Sequence, residues 1–166
     1  MIKVLVIDDE YFVRLGIRET IDWESMGVTL VGDADNGEAG LQLARETEPD
    51  VVITDIRMPT MDGLEFMRRC REEGIACEFI VLSAHEEFDY AKIAMQQGAS
   101  DYLLKPVEDQ ELARVLMALG QKLRETRDRF RAGEAVRAAG TAPGRISHEQ
   151  KSRLLSDACN GITAST

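Results

Sequence analysis

Apolar residues along the chain fall into five short runs, each followed by a stretch with helical spacing. The runs are Ile2–Ile7, Val28–Val31, Val51–Thr54, Glu78–Leu82 and Asp101–Leu104. The first and third are apolar at nearly every position, which is typical of strands covered on both faces. The segments between the runs repeat apolar residues every three or four positions, which predicts amphipathic helices. In the fourth such helix, Phe88, Ala91 and Met95 form the expected apolar face.

Strand and helix alternate five times, and no hairpin signal joins two consecutive strands. Such alternation predicts a parallel sheet with helices on both faces and right-handed crossovers. We therefore expect an α/β fold built on a doubly wound five-stranded parallel sheet. Because parallel strands end at the same edge of the sheet, the residues that follow them share the edge where open α/β folds bind ligands.

Chemically reactive side chains follow four of the five predicted strands. Asp8 and Asp9 follow the first strand, Asp55 the third, Ser83 the fourth and Lys105 the fifth. A single aspartate of this kind would more often cap a turn or a helix. Three carboxylates, a hydroxyl and a lysine together favour a site for a divalent cation and a phosphoryl group, since Mg²⁺ prefers carboxylates, water and phosphate oxygens. Asp55 could then be the nucleophile that accepts the phosphoryl group.

Composition and charge narrow the range of functions. The formal net charge is −10, and six basic residues face four acidic ones from Asp128 to Thr166, so this tail has about +2 and the part before it about −12. An acidic body repels phosphate backbones, which argues against nucleic-acid binding by this chain itself. No apolar run is long enough to span a membrane, and the three cysteines form no CxxC pair. We therefore expect a cytoplasmic protein that binds no zinc and does not associate with membranes.

The residues that follow the predicted strands match those of a known family. In these residues the sequence resembles the receiver domain of two-component response regulators, and the resemblance extends across residues 1–125. The resemblance implies the flavodoxin-like strand order 2-1-3-4-5. It also implies that Asp8 and Asp9 are the acidic pair that binds Mg²⁺, for which Mn²⁺ can substitute. Asp55 is then the phosphoryl acceptor and a further metal ligand, and the backbone carbonyl of Arg57 completes the protein ligands.

The same resemblance assigns roles to the last two strand ends. Ser83 and Lys105 act on the phosphoryl group, Ser83 and Tyr102 are the switch residues, and the Lys105–Pro106 peptide bond is cis.

Two further positions lie where family members tune the rate of dephosphorylation. Arg57 stands two residues beyond Asp55, and His85 two residues beyond Ser83. From the residues alone, Arg57 fits a phosphoryl contact and a solvent-exposed position equally well. His85 fits a place beside the fourth helix better than a role as a base, because no residue is placed to orient it.

Two segments narrow the resemblance to one group of receivers. IDWESMGVTLVGDADNG (residues 21–37) and HEEFDYAKIAMQQGASDYLLKPV (residues 85–107) resemble receivers fused to AraC-type helix-turn-helix effectors. The resemblance implies a partner histidine kinase and a transcriptional output. The aromatic residues Phe88, Tyr90 and Tyr102 predict a homodimer formed through helix four, strand five and helix five. Nothing after Val107 resembles the AraC-type DNA-binding module, so we expect DNA binding only through an effector domain absent from this chain.

Two other functions remain open. A Mg²⁺-dependent phosphohydrolase could use the same aspartate, although Asp55-Ile56-Arg57 lacks the second acid of the DxD motif found in such enzymes. A degenerate receiver could serve only as a dimerisation module. We expect no enzyme activity beyond catalysis of the chain's own phosphorylation and dephosphorylation.

The chain is expected to divide into two parts. Residues 1–125 form the receiver, and residues 126–166 form a partly flexible helical extension and linker. In this extension Gly133, Gly140 and Pro143-Gly144 are expected to break any helix, and the alanine-rich stretch Ala132–Ala142 is expected to be linker.

Overall fold

A computed structural model of the chain describes residues 1–84 and 88–140, with side chains for residues 1–84 and 88–133. Within these residues, strands and helices alternate: β1 (Ile2–Ile7), α1 (Tyr11–Thr20), β2 (Val28–Ala34), α2 (Gly37–Thr47), β3 (Val51–Asp55), α3 (Gly63–Glu72), β4 (Glu78–Ser83), α4 (Phe88–Gln96), β5 (Asp101–Leu104) and α5 (Asp109–Gly140). All strand pairs are parallel, in the order β2-β1-β3-β4-β5. The predicted fold class and strand order are therefore confirmed.

The two central strands are covered on both faces. Every residue of β3 is buried, and β1 is buried except at Lys3, which is half-buried. Leu5 and Ile7 belong to the main apolar cluster, together with residues of α2, α3 and α4. Val4 and Val6 point to the opposite face of the sheet and are buried as well. Long apolar runs in the sequence thus correspond to strands with no solvent-facing side.

Two glycines allow helices to approach the central strands closely. A Cβ atom on Gly40, within α2, would overlap the side chain of Ile7 at the end of β1. A Cβ atom on Gly63, the first residue of α3, would overlap the backbone carbonyl of Asp55. The Gly63 N–H also donates to the carbonyl oxygen of Ile56 at 2.8 Å. Helix α3 therefore begins in direct contact with the end of β3.

Helix α4 is oriented differently from the prediction. Its buried residues are Ala91 and Ala94, whereas Phe88 and Met95 are exposed. The expected apolar face of Phe88, Ala91 and Met95 is therefore wrong at two of its three positions. Small alanines allow the helix backbone to lie close to the sheet, and the large apolar residues then remain outside.

Helix α5 continues through Gly133 to Gly140, so the prediction that Gly133 ends the helix is wrong. One glycine costs a helix about 1 kcal/mol relative to alanine, and the alanine, arginine and glutamate residues around it are favourable helix formers. The chain divides into two compact units, Met1–Leu119 and a second that begins at Gly120. The predicted linker Ala132–Ala142 is helical as far as Gly140, and the break predicted at Pro143-Gly144 lies outside the described residues. Among the residues described, no helix has the length and apolar character required to cross a membrane.

Candidate functional site

The carboxyl ends of β1 and β3 bring two buried carboxylates together. Asp8 follows β1 and has no exposed surface, and Asp55 is the last residue of β3 with 4% exposed. The two strands pair in parallel, so both carboxylates lie at the same edge of the sheet. One carboxylate oxygen from each of Asp8, Asp9, Glu10 and Asp55 lies within 4.8 Å of all the others.

Lys105 lies among these carboxylates. Its Nζ is 2.8 Å from Glu10 Oε1, 3.0 Å from Asp8 Oδ2 and 3.1 Å from Asp55 Oδ2. The ammonium group donates hydrogen bonds to Glu10 and Asp55. Its contact with Asp8 is an ion pair without hydrogen-bond geometry, since Asp8 Oδ2 has no hydrogen-bond partner.

The backbone fixes the start of the Lys105 side chain. The Lys105–Pro106 peptide bond is cis. The Lys105 N–H donates to the carbonyl oxygen of Ser83 at 2.8 Å, which ties the end of β5 to the end of β4.

Burial acts in opposite directions on the pKa values of the carboxyl groups and on the pKa of the Lys105 ammonium. Burial, followed by the negative charge of Asp8, raises the pKa of Asp55 to about 7, although Lys105 opposes this shift. Burial likewise raises the pKa of Asp8. Burial alone would lower the pKa of Lys105, but the hydrogen bond to Glu10 and the charges of Asp8 and Asp55 outweigh it and raise that pKa. One ammonium group among four carboxylates leaves the site short of positive charge, which a divalent cation would supply.

Two buried polar atoms among the described side chains have no hydrogen-bond partner: Asp8 Oδ2 and Ser83 Oγ. An unsatisfied buried oxygen costs about 1–3 kcal/mol, so such atoms are uncommon without a reason. Ser83 is the last residue of β4 and is fully buried. Asp55 is paired in register with Leu82, which places Ser83 one residue beyond Asp55 on the neighbouring strand. Both oxygens therefore lie at the edge where a cation and an anionic group would satisfy them.

The remaining predicted residues lie around this cluster. Asp9 is exposed beside Asp8. The guanidinium carbon of the exposed Arg57 is 5.2 Å from the ring centroid of Tyr90 on α4. Tyr102 is partly buried and packs against the main apolar cluster. His85 lies outside the described residues.

Glu10 is the site residue that the sequence analysis missed. It contacts Lys105 more closely than either aspartate does. Its position directly after Asp8 and Asp9 was the available signal, but an exposed acid before a helix is also common as a capping or solvated residue.

Comparison with known proteins identifies the class of protein. The family profile described as "Response regulator receiver domain" matches residues 4–117. The chain therefore belongs to the response regulator receiver family.

Individual relatives agree with this assignment. The chain is 43% identical over 112 residues to the uncharacterized transcriptional regulatory protein YesN of Bacillus subtilis (strain 168), covering 68% of this chain and 30% of that protein. It is also similar to the crystallised receiver domain of AraT, a response regulator from Geobacillus stearothermophilus, with 42% identity, a TM-score of 0.71 and coverage of 75% and 97%.

A second similar structure is that of a two component transcriptional regulator AraC from Clostridium phytofermentans ISDg. The identity is 30% and the TM-score 0.67, with coverage of 73% of this chain and 94% of that chain. The resemblance to receivers of AraC-type regulators is confirmed. This chain spans 30% of the length of the Bacillus relative.

Proposed function

We propose that this chain is the phosphoryl-accepting receiver of a two-component system and takes a phosphoryl group from a partner histidine kinase onto Asp55. The observation that supports this proposal is the buried pair of Asp8 and Asp55 with Lys105 between them at the sheet edge. An Asp55 carboxylate oxygen forms the new bond to phosphorus, and the bond from phosphorus to the kinase imidazole breaks. The imidazole leaves, and Asp55 becomes an acyl phosphate.

The proposed metal ligands are the carboxylates of Asp8, Asp9 and Asp55 and the backbone carbonyl of Arg57. Mg²⁺, or Mn²⁺ in its place, would favour the ionised form of Asp55 and neutralise charge on the phosphoryl oxygens. The fit is supported by the clustering of the carboxylate oxygens, one of which, Asp8 Oδ2, is buried and accepts no hydrogen bond. Every donor is an oxygen, which is the ligand type that Mg²⁺ prefers.

Ser83 and Lys105 are proposed to hold the phosphoryl oxygens. Ser83 Oγ makes no hydrogen bond, so it can donate to a phosphoryl oxygen without breaking an existing contact. Movement of Ser83 toward Asp55 then opens space beside β5, into which Tyr102 turns further. The added charge at Asp55 thus biases a shift between existing states.

The proposed output surface is formed by α4, β5 and α5. Phe88 is 59% exposed and Tyr90 39% exposed, and aromatic groups of this kind are enriched at protein interfaces. We propose that phosphorylation promotes pairing of two copies through this surface. The transcriptional output then depends on a separate effector domain. This chain's own activity is limited to its phosphorylation and dephosphorylation.

Intact-mass analysis tests the phosphoryl acceptor. Incubation with a small acyl phosphate and Mg²⁺ should add one base-labile phosphoryl group, and chelation of the metal should prevent the addition. Asp55→Asn should abolish labelling, whereas the exposed control Asp35→Asn should not. Full labelling of Asp55→Asn would contradict the proposal. Continuous turnover of phosphate esters would favour a phosphohydrolase instead, and a wild type that takes no label would favour a degenerate receiver.

Sedimentation tests the switch. Wild type should self-associate when it is phosphorylated, whereas Ser83→Ala should accept the phosphoryl group and associate poorly. The switch is refuted if the phosphorylated wild type stays monomeric at every concentration and amide exchange between Ser83 and Tyr102 is unchanged.

A further inference from the structure

The residue immediately before helix α1 does not cap that helix with its side chain. Glu10 occupies the N-cap position, yet its side chain makes no capping hydrogen bond. Helices usually begin with serine, threonine, aspartate or asparagine, whose short side chains bond the first backbone N–H groups. The Glu10 carboxylate instead accepts a hydrogen bond from Lys105 Nζ at 2.8 Å, across a separation of 95 residues in the sequence. The side chain is therefore used to hold Lys105 rather than to stabilise α1.

The three contacts of Lys105 are not equivalent. An ammonium group has three N–H bonds, and three carboxylates surround it at 2.8–3.1 Å. Two of these carboxylates, Asp8 and Asp55, are also the proposed ligands of the cation, and Asp55 is the proposed phosphoryl acceptor. Glu10 has neither task and its side chain is 60% exposed. It is thus the partner that Lys105 can keep when Asp8 and Asp55 bind other groups.

We propose that Glu10 is a positioning residue that keeps the Lys105 ammonium at the site while the phosphoryl group is transferred. Lysine has a long, flexible side chain and a strongly hydrated charge, so an unanchored Lys105 would spend part of its time in solvent. A held ammonium is ready to contact a phosphoryl oxygen without first being reoriented. The role in phosphoryl transfer rests on the proposed function, whereas the anchoring of Lys105 does not.

The reactivity of the lysine amine tests the anchoring. Proteins are treated briefly with an amine-acylating reagent, and labelling of Lys105 is measured by peptide mass relative to the exposed Lys92. Glu10→Gln should raise the relative labelling of Lys105 about two- to fivefold, as expected for loss of a partly exposed ion pair. The control Glu38→Gln removes an exposed acid in the first turn of α2 and should leave the ratio unchanged. Unchanged labelling in Glu10→Gln would overturn the proposal.

The rate of phosphorylation tests the consequence. With an acyl phosphate and saturating Mg²⁺, Glu10→Gln should accept the phosphoryl group about two- to fivefold more slowly than wild type. In a Lys105→Met background, Glu10→Gln should have no further effect, because it acts through Lys105. An equal rate in the single variant would show that Glu10 does not contribute to the transfer, and a faster rate would show that it repels the donor. A persistent effect without Lys105 would show direct action on the cation. Any of these results overturns the proposal.

The two experiments separate this inference from the proposed function. A wild type that accepts no phosphoryl group contradicts the proposed function, while the acylation ratio of Lys105 to Lys92 still decides whether Glu10 anchors Lys105. If the Lys105→Met variant accepts no phosphoryl group, the acylation ratio decides the inference by itself.

Discussion

Helices α3 and α4 are of nearly equal length, with ten and nine residues, but they are held by very different side chains. Helix α3 buries Phe66, Met67 and Cys70 in the main apolar cluster. The buried residues of α4 are alanines, and its large apolar residues Phe88, Tyr90, Ile93 and Met95 are exposed. A fully buried phenylalanine or methionine side chain contributes about 1.5–3 kcal/mol, and an alanine much less. Helix α3 is therefore held against the sheet by far more buried apolar surface than α4.

The difference matters because the two helices follow neighbouring strand ends of the site. Helix α3 starts at Gly63, against the Asp55 carbonyl, so its anchoring keeps Asp55, the proposed phosphoryl acceptor, in place. Helix α4 follows the strand that ends in Ser83, whose hydroxyl has no partner. Elements with few buried apolar contacts are the ones that open or shift first. The arrangement suits the proposed function, in which Asp55 stays fixed to accept the phosphoryl group and the region after Ser83 moves to transmit the signal.

The largest expected effect concerns the two helix faces. Phe66→Ala should lower the free energy of unfolding by about 3–5 kcal/mol, because it leaves a cavity in the core. Ile93→Ala, on the half-exposed face of α4, should cost less than about 1 kcal/mol. Chemical denaturation under identical conditions measures both values. Equal losses would show that α4 is anchored as firmly as α3.

A second prediction concerns the carboxylate at the end of β3. The pKa of Asp55 rises from an ordinary value of 3.8 to about 7 on folding, so stability from this group is lost as the pH rises through about 7. Without divalent cations, Asp55→Asn should therefore raise the free energy of unfolding at pH 8 by roughly 1–3 kcal/mol. The α3 side of the sheet edge would then be still more stable relative to α4.

Thermal or chemical unfolding at pH 8 and pH 5 checks this result. The gain should be smaller at pH 5, and Mg²⁺ should reduce it at pH 8 by stabilising the wild type. Asp35→Asn, an exposed acid, is the control and should show no gain. A loss of stability in Asp55→Asn at pH 8 would contradict the prediction.

The smallest effect concerns the contact between Arg57 and Tyr90. This cation–π pair joins the loop before α3 to α4, and at an exposed position it contributes about 0.5–1 kcal/mol. Tyr90→Leu should therefore speed amide exchange in α4 about two- to fivefold without changing α3, and in an Arg57→Gln background it should add little. Phe88→Leu removes another exposed aromatic group of α4 and serves as the control. Similar acceleration in both leucine variants would show that the arginine contact is unimportant.

The sequence predicted the sheet well because its central strands are buried on both sides and so are continuously apolar. It underestimated β2, which extends to Ala34 rather than ending at Val31. Gly32 and Asp33 look like strand-ending residues, yet they pair with Leu5 and Val6 of β1 after a register shift at Val31. Asp33 is held in the strand by an ion pair with Arg14 at 3.0 Å, and such a partner from another element is invisible to local pattern.

The site was predictable to the extent that it depends on strand ends. Asp8, Asp55 and Lys105 meet because parallel strands finish at one edge, a consequence of alternation alone. Their roles in phosphoryl transfer stay predictions. The Glu10 contact and the Arg57 contact with Tyr90 depend on side-chain rotamers, which spacing does not determine. How closely α4 packs against the sheet depends on whether its small or its large residues face the sheet.

Gly63 has no functional group, yet the close approach of α3 to the Asp55 carbonyl makes it as constrained as a chemical residue. Any side chain at this position would push against the strand end and displace Asp55. If Asp55 is the phosphoryl acceptor as proposed, selection of random variants for signalling would remove substitutions at position 63 as well as at position 55. A genetic screen that scored loss of signalling alone would thus assign a chemical role to a residue whose whole contribution is the absence of a side chain.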